Sequence, residues 1–171
     1  MTLWLVRHDR LQGVSGICYG STDLPPAVPP EETARRLRPE LPADTPVFSS
    51  PLQRCAALAR ALHPEPVFLE GLREVDYGDW EMRPWTEIRG VDDWAARPFN
   101  FRFPGGESVP AFLSRVADTL TRIPAPAVVI THGGVIRAAL HHLEARPLEE
   151  AFRAPVPPGS VTPVIQSSSR R

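Results

Sequence analysis

The chain opens with Leu3-Trp4-Leu5-Val6, an apolar run that stops abruptly at Arg7 and His8, and the same design returns at Val128-Val129-Ile130-Thr131-His132. Short apolar runs without alternation read as strands buried on both faces, as in parallel sheets. The carboxyl ends of such strands face one ligand crevice, so Arg7, His8 and His132 are expected to meet there despite their distance in sequence. Prolines punctuate what lies between. Pro30 followed by Glu31 and Glu32 suits the first turn of a helix running towards Arg38, which Pro39 and Pro42 should end. Pro46-Val47-Phe48 reads as a strand, Ser49-Ser50-Pro51 as a strand-to-helix turn with Ser50 as cap, and Pro51 to Leu62 as an alanine-rich helix. Pro66 to Leu69 is a further strand, and Leu72 to Phe103 is mainly loop with at most short helices. A connection of that length usually carries function. After the turn at Pro104-Gly105-Gly106 come a helix over Val109 to Ile123, a strand over Ala127 to Thr131, a helix over Val135 to Leu143, and a last strand within Val161 to Gln166. Strands alternating with helices predict an α/β fold, a three-layer sandwich whose mostly parallel central sheet is flanked by helices on both faces. One domain is expected over residues 1–171, with a frayed tail at 167–171.

Composition narrows the function classes without choosing one. The 42% hydrophobic and 23% charged fractions are those of an ordinary globular protein, and the formal net charge of -1 gives no global support for nucleic-acid or membrane binding. The first apolar run is too short for a secretory signal, and no stretch is long enough to span a bilayer. Cys18 and Cys55 have no metal-ligand spacing, so free thiols in a reducing, cytoplasmic setting are expected. Oligomeric state is not readable from these features, and a homodimer stays open.

The candidate chemistry is anionic. Arg54 lies one turn into its helix, and helical side chains lean towards the amino end, so its guanidinium should reach the strand-end crevice beside Arg7. Two planar donor forks around one anion match phosphate oxygens. Gly133-Gly134 adds backbone amides at a helix amino terminus. Neighbouring guanidinium groups disfavour imidazolium, which leaves a histidine neutral and able to attack phosphorus. An acid must then protonate the leaving oxygen. The segment Leu72-Arg73-Glu74-Val75-Asp76-Tyr77-Gly78-Asp79-Trp80-Glu81 supplies candidates, among which composition does not choose. No metal or other cofactor is expected, since arginines disfavour a cation and the adjacent His141 and His142 diverge on a helix.

Taken in order, Leu-Val-Arg-His, Ser-Ser-Pro-Leu-Gln-Arg, Glu-Val-Asp-Tyr-Gly-Asp-Trp-Glu, Pro-Gly-Gly-Glu-Ser and Thr-His-Gly-Gly-Val-Ile-Arg resemble the histidine phosphatase superfamily, also called phosphoglycerate mutase-like. The resemblance implies that His8 is the nucleophile that becomes phosphohistidine, that Arg7, Arg54 and His132 hold the phosphate, and that Glu74 donates and accepts the proton, while Trp80 and Glu81 shape the loop. Gly16 to Asp23 and Gly78 to Arg83 are similar to stretches of the alpha-ribazole phosphatase branch. That similarity implies a metal-independent phosphomonoesterase acting on alpha-ribazole 5'-phosphate in cobalamin nucleotide-loop assembly. The substrate-binding set expected is Arg7, Arg54, His132, Gly133, Gln12, Tyr19, Glu107 and Ser108, with Tyr19, Trp80, Trp85 and Trp94 as flat surfaces for a benzimidazole ring. The alternatives are a broad-specificity small-molecule phosphatase, a phosphoglycerate mutase and an inactive phosphate-binding module. Two departures stand out: residues 27–32 carry prolines where many members have Leu-Thr-x-x-Gly, and the segment after His8 differs. Many members have glycine directly after the nucleophile and an asparagine further on, where this chain has Asp9 and offers Gln12. Pointing inward, Asp9 should weaken phosphate binding; turned outward, it can pair with Arg10.

Overall fold

The computed structural model describes residues 2–165. Gln166 and the tail expected to fray lie outside them. In chain order the strands are Thr2–Arg7 (β1), Ile17–Cys18 (β2), Val47–Ser49 (β3), Val67–Phe68 (β4), Arg83–Pro84 (β5), Ala127–Thr131 (β6) and Val161–Ile165 (β7). The helices are Pro30–Leu37 (α1), Gln53–Leu62 (α2), Val91–Ala96 (α3), Val109–Leu120 (α4), Gly133–Glu144 (α5) and Leu148–Arg153 (α6). Five strands form the central sheet in the order β4-β3-β6-β1-β7, all parallel except β7, which runs antiparallel to β1. The expected mostly parallel α/β sheet is present.

Successive side chains on a strand point to opposite faces, and here each face finds its own helices. Leu3, Leu5, Ala127 and Val129 pack with Phe112, Val116 and Leu120 of α4 and Val135 and Ile136 of α5. Val6, Val128 and Ile130 pack on the other face with Ala34 and Leu37 of α1 and Cys55, Leu58 and Ala59 of α2. Both neighbours of each central strand are therefore apolar, which is why the runs at residues 3–6 and 127–130 lack alternation.

Several boundaries differ from expectation for physical reasons. Helix α2 begins at Gln53 rather than Pro51, with Leu52 extended at the cap position. Its first amide is taken by the Asp23 carboxylate at 2.7 Å, a cap supplied from another loop, while the Ser50 hydroxyl takes the Leu52 amide and meets His132 at the sheet edge. Helix α4 ends at Leu120, before the expected Ile123. Helix α5 extends past both expected ends and closes on Ala145 in a left-handed conformation, φ 53°. The β2–β5 pair and α6 were not expected. Pro147 followed by Glu149 and Glu150, with Arg153 in the last turn, is the signal that marks α6. Among the described residues no helix is long and apolar enough to cross a membrane.

The 72–103 excursion is mainly loop with short helical turns and helix α3, as the pattern suggested, and it also carries the unexpected β5. It is held by its own aromatic core. The Tyr77 and Phe103 rings lie 4.7 Å apart, Trp80 and Phe103 5.3 Å, and Trp94 and Phe103 5.4 Å, all edge-to-face. Trp80 is buried in this cluster, consistent with a role in loop shape.

Truncating a side chain between β1 and α5 should cost far more than truncating one on the exposed edge strand. Leu5→Ala is expected to lose about 2–5 kcal/mol and Val67→Ala no more than about 0.5 kcal/mol, read as denaturation midpoints at unchanged slope. Equal losses would contradict this packing.

Candidate active site

Strand register brings the distant residues together. Arg7 is opposite Thr131, the His8 amide continues the ladder onto the Thr131 carbonyl at 3.1 Å, and the Ser50 amide donates to the Ile130 carbonyl at 2.9 Å. The strands β1, β3 and β6 thus end at one edge. His8 and His132 follow the parity of Val6 and Ile130, and their rings meet there edge-on with centroids 5.3 Å apart.

His8 is buried, and its Nδ1 lies 2.6 Å from the backbone carbonyl of Asp9. A carbonyl only accepts, so Nδ1 carries the hydrogen and Nε2 keeps a free lone pair. Burial, followed by the charge of Arg54 and, more weakly, that of Arg7, lowers its pKa to about 3 against the opposing bond to Asp9. His132 is fully buried, and burial with Arg54, His8 and Arg7 holds it well below the ordinary histidine value. Its Nε2 lies 2.8 Å from the Ser50 hydroxyl, which also accepts from the Leu52 amide at 3.3 Å. Cys55 donates its thiol hydrogen to the Thr131 carbonyl at 3.4 Å. Burial raises the pKa of both cysteines, that of Cys18 to about 12, so neither is a thiolate nucleophile near neutrality.

Two arginines face the same edge. Arg54 donates to the carbonyls of Thr22 at 2.7 Å and Gly20 at 2.6 Å, beneath the Tyr19 ring 5.4 Å away. Arg7 donates to the Val156 carbonyl. The Nε–H groups of Arg7 and Arg54 are buried and have no hydrogen-bond partner among the described residues. Orphaned buried donors are rare, and an anion at this edge would supply the missing acceptors. The Tyr19 to Thr22 loop is held by Glu81, whose carboxylate accepts from the Ser21 amide and hydroxyl, both at 2.9 Å, from the Tyr77 amide at 3.0 Å, and from the Thr22 hydroxyl. Loop shaping is the part Glu81 plays.

Beside Arg7 opens a cavity of about 470 Å³. Glu74 lines it and accepts the Gly134 amide at 3.0 Å. A Cβ at residue 134 would lie 2.3 Å from the Glu74 carboxylate, so only glycine admits this approach. The remaining walls are aromatic, with Tyr77, Trp94, Phe99, Phe103, Phe112 and Phe152, and they hold one further cation, Arg137. Arg137 is fixed by donation from Nε to the Ala154 carbonyl at 3.1 Å. Burial and the nearby Arg7 lower its pKa, and among the described residues no carboxylate forms an ion pair with it.

Of the residues singled out from sequence, Arg7, His8, Arg54, Glu74, His132 and Gly133 share this edge, with Tyr19 stacked over Arg54. Others are placed differently. Gln12 is exposed and lines no wall of the cavity. Glu107 is taken by Arg115, at 2.9 and 2.8 Å, and by the Asp76 amide at 3.0 Å. Ser108 caps α4 by accepting the Ala111 amide at 3.2 Å, so both side chains are engaged in structural contacts. Of the tryptophans proposed as flat surfaces, Trp94 lines the cavity, whereas Trp80 is core and Trp85 stacks behind Trp94. His142 is exposed and His141 meets the Arg146 carbonyl at 2.7 Å. Arg137, Phe99 and Phe152 were missed. Arg137 stands one turn after Gly133, a spacing that puts it on the same helix face; Phe152 required recognising α6.

Asp9 turns outward, but its side-chain partner is not Arg10. It pairs with Arg36 at 2.8 Å, and Arg10 contributes only its backbone amide at 2.7 Å.

The chain is similar to several known proteins over most of its length. An adenosylcobalamin/alpha-ribazole phosphatase of Salmonella typhimurium is 29% identical over 175 residues, spanning 86% of this chain and 81% of that protein. A crystal structure of phosphoglycerate mutase from Thermus thermophilus is 40% identical, with a TM-score of 0.79 over 96% of this chain and 92% of the other. A structure from Escherichia coli at 24% identity shares the fold, with a TM-score of 0.83 over 95% and 89% of the two chains. The family model of the histidine phosphatase superfamily, branch 1, matches residues 3–171, and the chain belongs to that superfamily.

Proposed function

We propose that the protein is a phosphomonoesterase that works through a phosphohistidine at His8, with alpha-ribazole 5'-phosphate as its substrate. The observation that carries the reading is a neutral His8 with its Nε2 lone pair free, beside two buried arginines whose Nε–H donors lack partners among the described residues. In the first step Nε2 attacks phosphorus, the N–P bond forms as the ester P–O bond breaks, and the leaving oxygen takes the proton of the Glu74 carboxyl. In the second, water gives a proton to the Glu74 carboxylate as its oxygen attacks phosphorus. The N–P bond then breaks onto Nε2 and inorganic phosphate leaves. The Arg7 and Arg54 guanidinium groups offset the charge that spreads over the equatorial oxygens, and His132, neutral, can contribute only a ring N–H. Fixed guanidinium groups supply that positive charge, so turnover is expected to survive a chelator.

Two observations favour a flat apolar leaving group. The cavity beside Glu74 is walled by aromatic rings, and the Salmonella relative is named for alpha-ribazole. A second reading, phosphoglycerate mutase, draws on the description of the Thermus structure and on Arg137, a cation available to a carboxylate. A phosphatase panel of alpha-ribazole phosphate, phosphoglycerates, sugar phosphates and nucleotides decides between them. Fastest turnover of alpha-ribazole phosphate is expected; rapid equilibration of phosphoglycerate isomers would reverse the ranking.

His8→Ala should abolish hydrolysis of both alpha-ribazole phosphate and an aryl phosphate, together with acid-labile phosphate labelling of the protein. Retained turnover would remove His8 as the nucleophile. Glu74→Gln should slow alkyl phosphate hydrolysis by roughly 10²–10⁴-fold, with a much smaller effect on the initial burst from p-nitrophenyl phosphate, whose leaving group needs no proton. Equal losses on both substrates would argue against Glu74 as the acid. The buried histidine also links stability to pH. Between its ordinary value of 6.5 and about 3, the unfolded chain binds a proton on His8 that the folded protein refuses, so stability falls as pH drops through that window. The slope approaches about 1.4 kcal/mol per pH unit for each such histidine, and His8→Gln should remove one share of it in urea titrations run across the window.

A further inference from the structure

We infer that Asp9 is a positioning residue for His8, clamped by Arg36 so that its backbone carbonyl holds the His8 ring in the tautomer that leaves Nε2 free; this rests on His8 being the nucleophile. Asp9 directly follows His8 in the chain, and its side chain is tied on every side. One carboxylate oxygen accepts the Arg10 amide at 2.7 Å, and the other accepts the Thr33 hydroxyl and Arg36, both at 2.8 Å. Thr33 and Arg36 belong to α1, so the helix grips the residue whose carbonyl takes the His8 Nδ1 hydrogen at 2.6 Å.

Arg36 extends the clamp to a third segment. Its other terminal nitrogen donates to the Gly159 carbonyl at 2.9 Å, while the Gly159 amide donates to the carbonyls of His8 at 3.0 Å and Arg7 at 3.1 Å. Gly159 has φ 65°, and a Cβ there would sit 2.4 Å from Arg36 and 3.1 Å from the Asp9 carboxylate. The site is therefore shaped around the ion pair. Gly159 holds the carbonyls of both peptide planes flanking His8, and the Asp9 carboxylate holds the Arg10 amide of the next plane, whose carbonyl takes the Nδ1 hydrogen. Without the brace the Asp9 peptide is free to rotate, Nδ1 loses its acceptor, and the hydrogen can move to Nε2, where it occupies the attacking lone pair.

A purely electrostatic role does not account for this cluster. The Asp9 charge favours imidazolium, yet His8 is already neutral far above its lowered pKa, so removing that charge leaves the neutral fraction near pH 7 unchanged. Partial burial of Asp9 opposes its ionisation, but the Arg10 amide, Thr33 and Arg36 outweigh that and keep it a carboxylate. The Arg36 side chain is 51% exposed, so the pair contributes little to global stability and its function can be separated from folding.

The test uses the full chain, an aryl phosphate, and nitrogen-15 NMR of the histidine rings. Arg36→Ala is expected to keep its denaturation midpoint, lose roughly 10- to 100-fold in kcat with KM within about twofold, and convert His8 from a single Nδ1–H form to a mixture. Arg36→Lys should restore most of both signals. Should Arg36→Ala fail to fold, Asp9→Asn, which keeps an acceptor for the Arg10 amide but places an NH2 where Thr33 and Arg36 donate, is expected to show the same mixed tautomer. Unchanged kcat and tautomer in a folded variant overturn the proposal, as does a loss carried by KM alone. If the parent protein turns over no phosphate ester, the phosphatase reading fails while the tautomer comparison still decides the clamp.

Discussion

The parallel register between β1 and β6 is the constraint on which the site depends. Pairing Arg7 with Thr131 makes the two strands stop together, and whatever follows each strand is delivered to the same edge. Two histidines separated by most of the chain then touch without any dedicated contact between their loops. Parity divides the work further. His8 and His132 turn towards α2, with its buried Arg54, whereas Arg7 turns towards the cavity that Glu74 and α5 enclose. A slip of one residue in that register would exchange the two sets and remove the site, even if the sheet stayed intact.

Burial and positive charge act in one direction on the histidines. Both oppose protonation, so the pair is kept as neutral bases by the surroundings that make the edge attractive to an anion. Buried donors on Arg7 and Arg54 without a partner among the described residues are a cost to the folded state. Such groups are tolerated where a ligand completes them, and their stabilisation is deferred until binding.

The sheet and the strand-end residues were legible because apolar runs, abrupt polar stops and proline punctuation are local signals. Arg7, His8 and His132 followed from strand ends, and Arg54 from its helix position. Glu74 was selected among neighbouring carboxylates only by motif resemblance, since what distinguishes it is its approach to Gly134, a contact across the chain. Glu107 and Ser108 illustrate the converse. Their neighbours in sequence suggested substrate, while their partners, Arg115 and the α4 amide, follow from packing. The cap of α2 illustrates the same limit: local chemistry nominated Ser50, and a distant loop supplied Asp23.

The aromatic cavity has a consequence for the behaviour of the excursion itself. Tyr77, Trp94 and Phe103 are at once the wall a ligand would touch and the rings that hold residues 72–103 together. A ligand that fills the space joins that packing, and its binding energy is added to the ordering of the segment that carries Glu74. Ligand size and the placement of Glu74 then become a single equilibrium: a molecule too small to bridge the rings leaves that carboxyl less firmly held.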